Sequence, residues 1–172
     1  IFKMKLLLEN WRNFVTAGGN VFVGENVDAI PLEYIQPTLD KYYEELSRLF
    51  PEHAEHFQQF EPLGSVGKKA KSGDIDLAVD VKTLFPMGKV TDASLESWNL
   101  DPASWRTTYD RMVNRAITAT PSQVELRAFL YELAKYIGEN SEIIKTDLKK
   151  VRSGKMFSLF PQITDTGEQL DA

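Results

Sequence analysis

Apolar positions recur at helical spacing in several stretches of this chain. Leu7, Leu8, Trp11, Phe14 and Val15 predict a short amphipathic helix over 4–15, broken by Gly18-Gly19-Asn20. Leu32, Ile35, Leu39, Tyr42, Tyr43, Leu46, Leu49 and Phe50 form a longer stripe ending at Pro51. Pro31 suits a first helical turn, and Pro37, with no backbone donor, predicts a kink or a split. Residues 4–50 therefore read as an N-terminal helical segment. Asp101-Pro102 reads as cap and first-turn proline of a helix carrying Trp105, Tyr109, Met112, Val113, Ala116 and Ile117. Pro121-Ser122 opens another, with Leu126, Phe129, Leu130, Leu133 and Ile137, closed by Gly138. Ser141 is placed to cap a third short helix ending near Val151.

Three stretches read as strands instead: 57–63, 74–81 and 155–163. Thr164-Asp165-Thr166-Gly167 predicts a hairpin turn, and 168–172 begins a last strand. From Thr83 to Leu100 the pattern is irregular, with Pro86 and Gly88, which predicts a mobile loop. The order helices, strand, strand, helices, strand, strand predicts an α+β fold, a small mixed β-sheet flanked by helices. Residues 57–172 would carry that sheet and its helices.

Composition narrows the picture. A chain of 172 residues fits one domain, 1–172, and 42% hydrophobic with 26% charged residues supports a real core. A net charge of −5 disfavours a protein that coats nucleic acid, though Lys149, Lys150, Arg152 and Lys155 form a local basic cluster that also suits a helix C-terminus. The absence of cysteine excludes a disulfide framework, a thiolate nucleophile and a Cys-based zinc site, and suits a cytoplasmic location. Leu6-Leu7-Leu8 is cut short by Glu9, unlike a signal peptide, and no apolar run nears the roughly 18 residues of a span, so no membrane partner is expected. His53 and His56 lie three apart without an acidic ligand cluster and read as surface residues. Trp105 falls on a helical stripe and reads as core; Trp98, in the irregular stretch, suits either packing or stacking on a base.

The most informative stretch is 63–81. Gly64-Ser65 ends an apolar run, a basic loop with Lys68, Lys69 and Lys71 follows, and Asp74 and Asp76 open a second apolar run. Alternate strand residues share a face, so these two aspartates stand roughly 7 Å apart on one side. Paired carboxylates can hold divalent metal ions, and exposed backbone N–H groups in a Gly-Ser turn can hold phosphate oxygens.

This segment resembles the signature of the polymerase-β-like nucleotidyltransferase superfamily, in which Gly-Ser, a short loop and Asp-x-Asp inside a strand occur in that order; the chain as a whole is similar in impression to phage-encoded members. The close resemblance covers about twenty residues. It implies a nucleotidyltransferase-like fold that moves a nucleoside monophosphate from a nucleoside triphosphate to an acceptor hydroxyl and releases pyrophosphate. It further implies Mg²⁺ or Mn²⁺ held by Asp74 and Asp76. Triphosphate would be held by Gly64, Ser65 and Val66; read from the residues, Lys68, Lys69 and Lys71 suit either steering it or an ordinary solvated loop. The acceptor class, whether RNA, protein or a small molecule, is open. The family also uses a third carboxylate on a later strand. Asp171 has that local setting but is the second-to-last residue; the alternatives are an acid beyond Ala172, the last strand being cut mid-course, or a chain that binds nucleotide or a partner without transfer.

Overall fold

The computed structural model describes residues 3–8, 30–57, 61–63, 71–72, 75–80, 84–85, 89–115, 119–151 and 154–170. Its fold is α+β, with a mixed sheet and helices on it. The sheet is built around strand β1 (Lys3–Leu8). Two short elements follow, β2 (Ile30–Pro31) and β4 (Lys71–Ser72), which pair with each other as a separate antiparallel ribbon. The main sheet takes β3 (Glu61–Leu63), β5 (Ile75–Asp80), β6 (Lys145–Thr146) and β7 (Lys155–Leu159) in the order β3-β5-β1-β7-β6. Every neighbouring pair is antiparallel except β1 with β7, which makes the sheet mixed.

The stretch 3–8 corrects the helix expected over 4–15; residues 9–15 lie outside the described set. Leu6, Leu7 and Leu8 make a continuous apolar run, which suits a strand with neighbours on both sides as well as it suits a helix face. Over so few residues the period does not separate the two. The strand expected over 57–63 is also shorter: Phe57 ends helix α2 (Ala54–Phe57), and β3 covers only Glu61–Leu63. The strand expected over 74–81 corresponds to β5.

Helix α1 (Leu32–Leu49) runs unbroken through Pro37, which sits near its start. Only one early hydrogen bond is lost there, and the buried stripe Ile35, Leu39, Tyr42, Leu46 and Leu49 holds the helix together. Pro31 stands just before the helix, as its cap residue. The stretch expected as a mobile loop contains helix α3 (Asp92–Ser97), opened by a reciprocal cap between Thr91 and Ser94. Helix α4 (Pro102–Val113) begins as expected, with Asp101 accepting from Ala103 N and Pro102 in the first turn. Helix α5 (Pro121–Asn140) is capped by Thr120 and passes through Gly138, which was expected to end it. A Cβ at Gly138 would sit 2.7 Å from Thr146 Oγ1 on β6, so the glycine serves a close approach and not a helix end. The third helix expected after Ser141 is absent: Ser141 Oγ caps a turn by accepting from Ile144 N at 2.9 Å, and β6 and a single 3₁₀ turn, Leu148–Lys150, follow. The hairpin expected at Thr164–Gly167 is present, with Gly167 N donating to Thr164 O at 2.9 Å and Gly167 at φ +86°.

Helices α1 and α5 cover one face of the sheet. Met156 and Ser158 of β7 are sealed on that side, and Tyr42 of α1 donates to Ser158 Oγ at 3.3 Å. Burial pushes the Tyr42 hydroxyl up to about 12 despite that bond. Thr38 of α1 donates to Ile163 O and accepts from Ile163 N at 2.9 Å, tying the helix to the chain beyond β7. Trp98 anchors the other end of the core. It meets Phe50, Phe57 and Phe129 edge-on, stacks on His53, and donates from Nε1 to Leu84 O. Trp105 is buried, as expected from its place on the stripe.

Candidate functional site

The sheet register decides where the Gly-Ser and Asp-x-Asp elements meet. Leu63, the last residue of β3, is paired with Asp76, and on the other side of β5 Leu7 is paired with the same aspartate. Gly64 follows Leu63 by one peptide bond in the sequence, and Asp74 precedes Ile75. The C-terminal ends of β1, β3 and β7 and the N-terminal end of β5 all lie at one end of the sheet, since β5 runs against β1 and β3 while β7 runs with β1. Leu63 and Ile75, the residues next to Gly64 and Asp74 in the sequence, thus lie at a single sheet end.

Alternation then sorts residues between faces. Asp76, Ala78 and Asp80 of β5 share a face with Leu7, Lys5 and Lys3 of β1, their direct register partners. Through the β1–β7 register, Lys155 and Phe157 belong to that face too. Lys155 is exposed and Phe157 half-buried, whereas Met156 and Ser158 on the opposite, helix-covered face are buried. Asp76 therefore belongs, by register, to the face opposite the one that α1 and α5 cover. Of the basic cluster, Lys155 is brought to this face, while Lys149 and Lys150 sit on the 3₁₀ turn before β7. Arg152 lies outside the described residues.

Gly64, Ser65, Val66, Lys68, Lys69, Asp74 and Asp171 also lie outside the described residues, and Asp76 is placed by its register alone. The chain near its end can be followed to Leu170, whose N donates to Gln162 O at 2.9 Å, so the segment after the hairpin turns back toward the end of β7. Among the described residues no group of three or more His, Cys, Asp or Glu side chains is arranged to hold a metal ion. Among them also, no helix is long and apolar enough to cross a membrane.

Lys3 and Lys5 are additions that the helical pattern over 4–15 hid. Their signal was the opening alternation Lys3, Met4, Lys5, Leu6, which has the period of a strand. In β1 they flank the carboxylate-bearing strand, with Lys3 paired to Asp80. Opposite charges directly across a ladder favour that register.

No family model matches this chain, and no curated protein or solved structure matches it.

Proposed function

We propose that this chain is a Mg²⁺-dependent nucleotidyltransferase, moving a nucleoside monophosphate from a nucleoside triphosphate to an acceptor hydroxyl with release of pyrophosphate. The observation that carries the reading is the pairing of Leu63, which precedes Gly64 in the sequence, with Asp76, the second aspartate of Asp-x-Asp. The resemblance of 63–81 to the polymerase-β-like nucleotidyltransferase signature supplies the chemistry, and the small mixed sheet with helices on one face agrees with that layout.

The donor set suits the ion. Mg²⁺ prefers oxygen ligands and takes few carboxylates from the protein, and Asp74 and Asp76 offer two, one residue apart in the sequence. Bound there, the ion would stabilise the charge on the entering and leaving oxygens. The chain's own groups do the rest. Backbone N–H groups around Gly64, Ser65 and Val66 would hold the terminal phosphates. Lys68 and Lys69 in the loop, with Lys5 and Lys155 on the sheet face that Asp76 shares by register, would raise the local concentration of the polyanionic substrate. Such a site works by positioning and by charge stabilisation.

The test is a pair of measurements on wild type and on the double variant Asp74→Ala/Asp76→Ala. Wild type is expected to bind nucleoside triphosphate only with Mg²⁺ and to release pyrophosphate when offered acceptors. The double variant is expected to lose turnover by roughly a thousandfold or more, the scale of losing a preorganised electrostatic contact. Mg²⁺-dependent binding without pyrophosphate release would make the chain a nucleotide-binding module. Unchanged binding in the double variant would remove the site altogether.

A further inference from the structure

The only two histidines of the chain form a pair distant in kind from the carboxylate site. His53 ends the 3₁₀ turn Pro51–His53, and His56 lies in α2 three residues on. Their Nδ1 atoms stand 3.3 Å apart. The other ring nitrogen of His53, Nε2, is 3.1 Å from Ser97 Oγ. That hydroxyl donates its single proton to Ser94 O at 2.7 Å, and a carbonyl can only accept. Ser97 Oγ therefore accepts from His53 Nε2–H, which fixes the neutral tautomer and leaves a bare lone pair on His53 Nδ1. The ring is also clamped on one face by Trp98, 3.7 Å away and within 5° of parallel.

Two imidazole nitrogens facing each other at this distance require an electrophile between them, either the proton of a His56 Nδ1–H or a cation. Metal–nitrogen bonds of about 2.0–2.1 Å in a tetrahedral shell place two ligand nitrogens about 3.3–3.4 Å apart. The observed spacing matches. The Ser97 bond to the remote nitrogen is the outer-shell contact that metal-bound histidines keep, since it fixes the tautomer and the ring plane.

The geometry points to a two-histidine transition-metal site, formed by His53 Nδ1 and His56 Nδ1, for an ion of the Zn²⁺, Ni²⁺ and Cu²⁺ class. Imidazole suits these ions, whereas Mg²⁺ demands oxygen, so this site and the Asp-x-Asp site select different metals. With no third His, Cys, Asp or Glu in such a group among the described residues, water or an outside donor would complete the shell. Both histidines are half-buried, so the position between them is reachable. The bound ion would clip α2 to α3 through His53 and Ser97.

Tag-free protein titrated near neutral pH with Ni²⁺, Zn²⁺ and Mg²⁺ in a calorimeter tests this. One Ni²⁺ or Zn²⁺ per chain is expected, with Mg²⁺ giving no competing signal. Cu²⁺ at the same place should quench Trp98 fluorescence and show two nitrogen ligands by electron paramagnetic resonance. His53→Gln and His56→Gln should each weaken Ni²⁺ binding by roughly tenfold or more, and Ser97→Ala should weaken it less. His53→Gln disturbs a core stack, so His56→Gln, whose ring does not stack on Trp98, is the deciding variant; its far-ultraviolet circular dichroism should match wild type. A folded His56→Gln that binds Ni²⁺ as tightly as wild type would overturn the site, as would wild type that prefers neither Ni²⁺ nor Zn²⁺ over Mg²⁺.

Discussion

Asp147 is a buried carboxylate with one oxygen satisfied. Its Oδ1 accepts from Lys149 N at 3.0 Å at the start of the 3₁₀ turn, while Oδ2 has no hydrogen-bond partner among the described residues. Burial raises its pKa above the ordinary 3.8, and the Lys149 and Lys150 amides and charges pull it partly back. A carboxyl whose folded value is raised binds more protons folded than unfolded in the window just above 3.8. Its contribution to stability therefore falls as pH rises through that window and stays low above the folded value. Asp147→Asn keeps an acceptor for Lys149 N and cannot ionise. Urea melts across the acid-to-neutral range are expected to show the Asn variant gaining on wild type as pH rises, then a constant difference. A difference that shrinks with pH would reverse the assignment. By contrast Glu132, also buried, accepts from the hydroxyls of Ser104 and Thr108 and is satisfied. At this scale the sequence told little, because what fixes a polar residue is its partner. The helical stripe was enough to place Trp105, but Trp98 was readable only once Phe50, Phe57, Phe129 and Leu84 O surrounded it. His53 and His56, expected at the surface, are half-buried for the same reason: Trp98 and Ser97 come from 40 residues and more along the chain.

Among the elements, those with a long stripe and a chemical start signal were legible. Asp101-Pro102 opens α4 because a side-chain acceptor and a proline without a donor both suit a first turn, and Pro121 opens α5 for the second reason, whereas its cap Thr120 is visible only in the structure. Short elements were less so, since α3 and β6 each span too few residues for a period to emerge, and β3 begins later than the strand read over 57–63. Gly138 illustrates the limit. In the sequence it reads as a helix end; in the structure it is a helical position where Thr146 Oγ1, which donates to Ala134 O at 2.6 Å, leaves no room for a methyl group. A glycine-to-alanine change within an exposed helix gains about 1 kcal/mol. Gly138→Ala is expected to lose about 1–2 kcal/mol instead, because overpacking costs more than propensity returns. Chemical denaturation of Gly138→Ala, Thr146→Ala and the double variant would show the coupling, with the double variant recovering most of what the alanine at 138 costs. Strict additivity would mean that the two residues do not meet.

Over the whole molecule, the candidate site depends on a strand drawn from the far end of the chain. The motif 63–81 was visible in sequence because its residues are contiguous. The sheet that frames it was not, because β1 is what joins β5 to β7. Deleting residues 1–8 should strip hydrogen-exchange protection from Ile75–Asp80 and Lys155–Leu159 while α5, tied to α4, keeps more of its own. Undiminished protection in both strands would show that the sheet closes without β1. The same arrangement has a consequence in time. Lys5 pairs with Lys155, which the ribosome adds 150 residues later. At 5–20 residues per second that is a delay of about 8–30 s. Throughout it Leu6, Leu7 and Leu8 form an apolar strand edge waiting for its second neighbour, so slower synthesis of the segment between β5 and β7 should raise the fraction of newly made chains that aggregate.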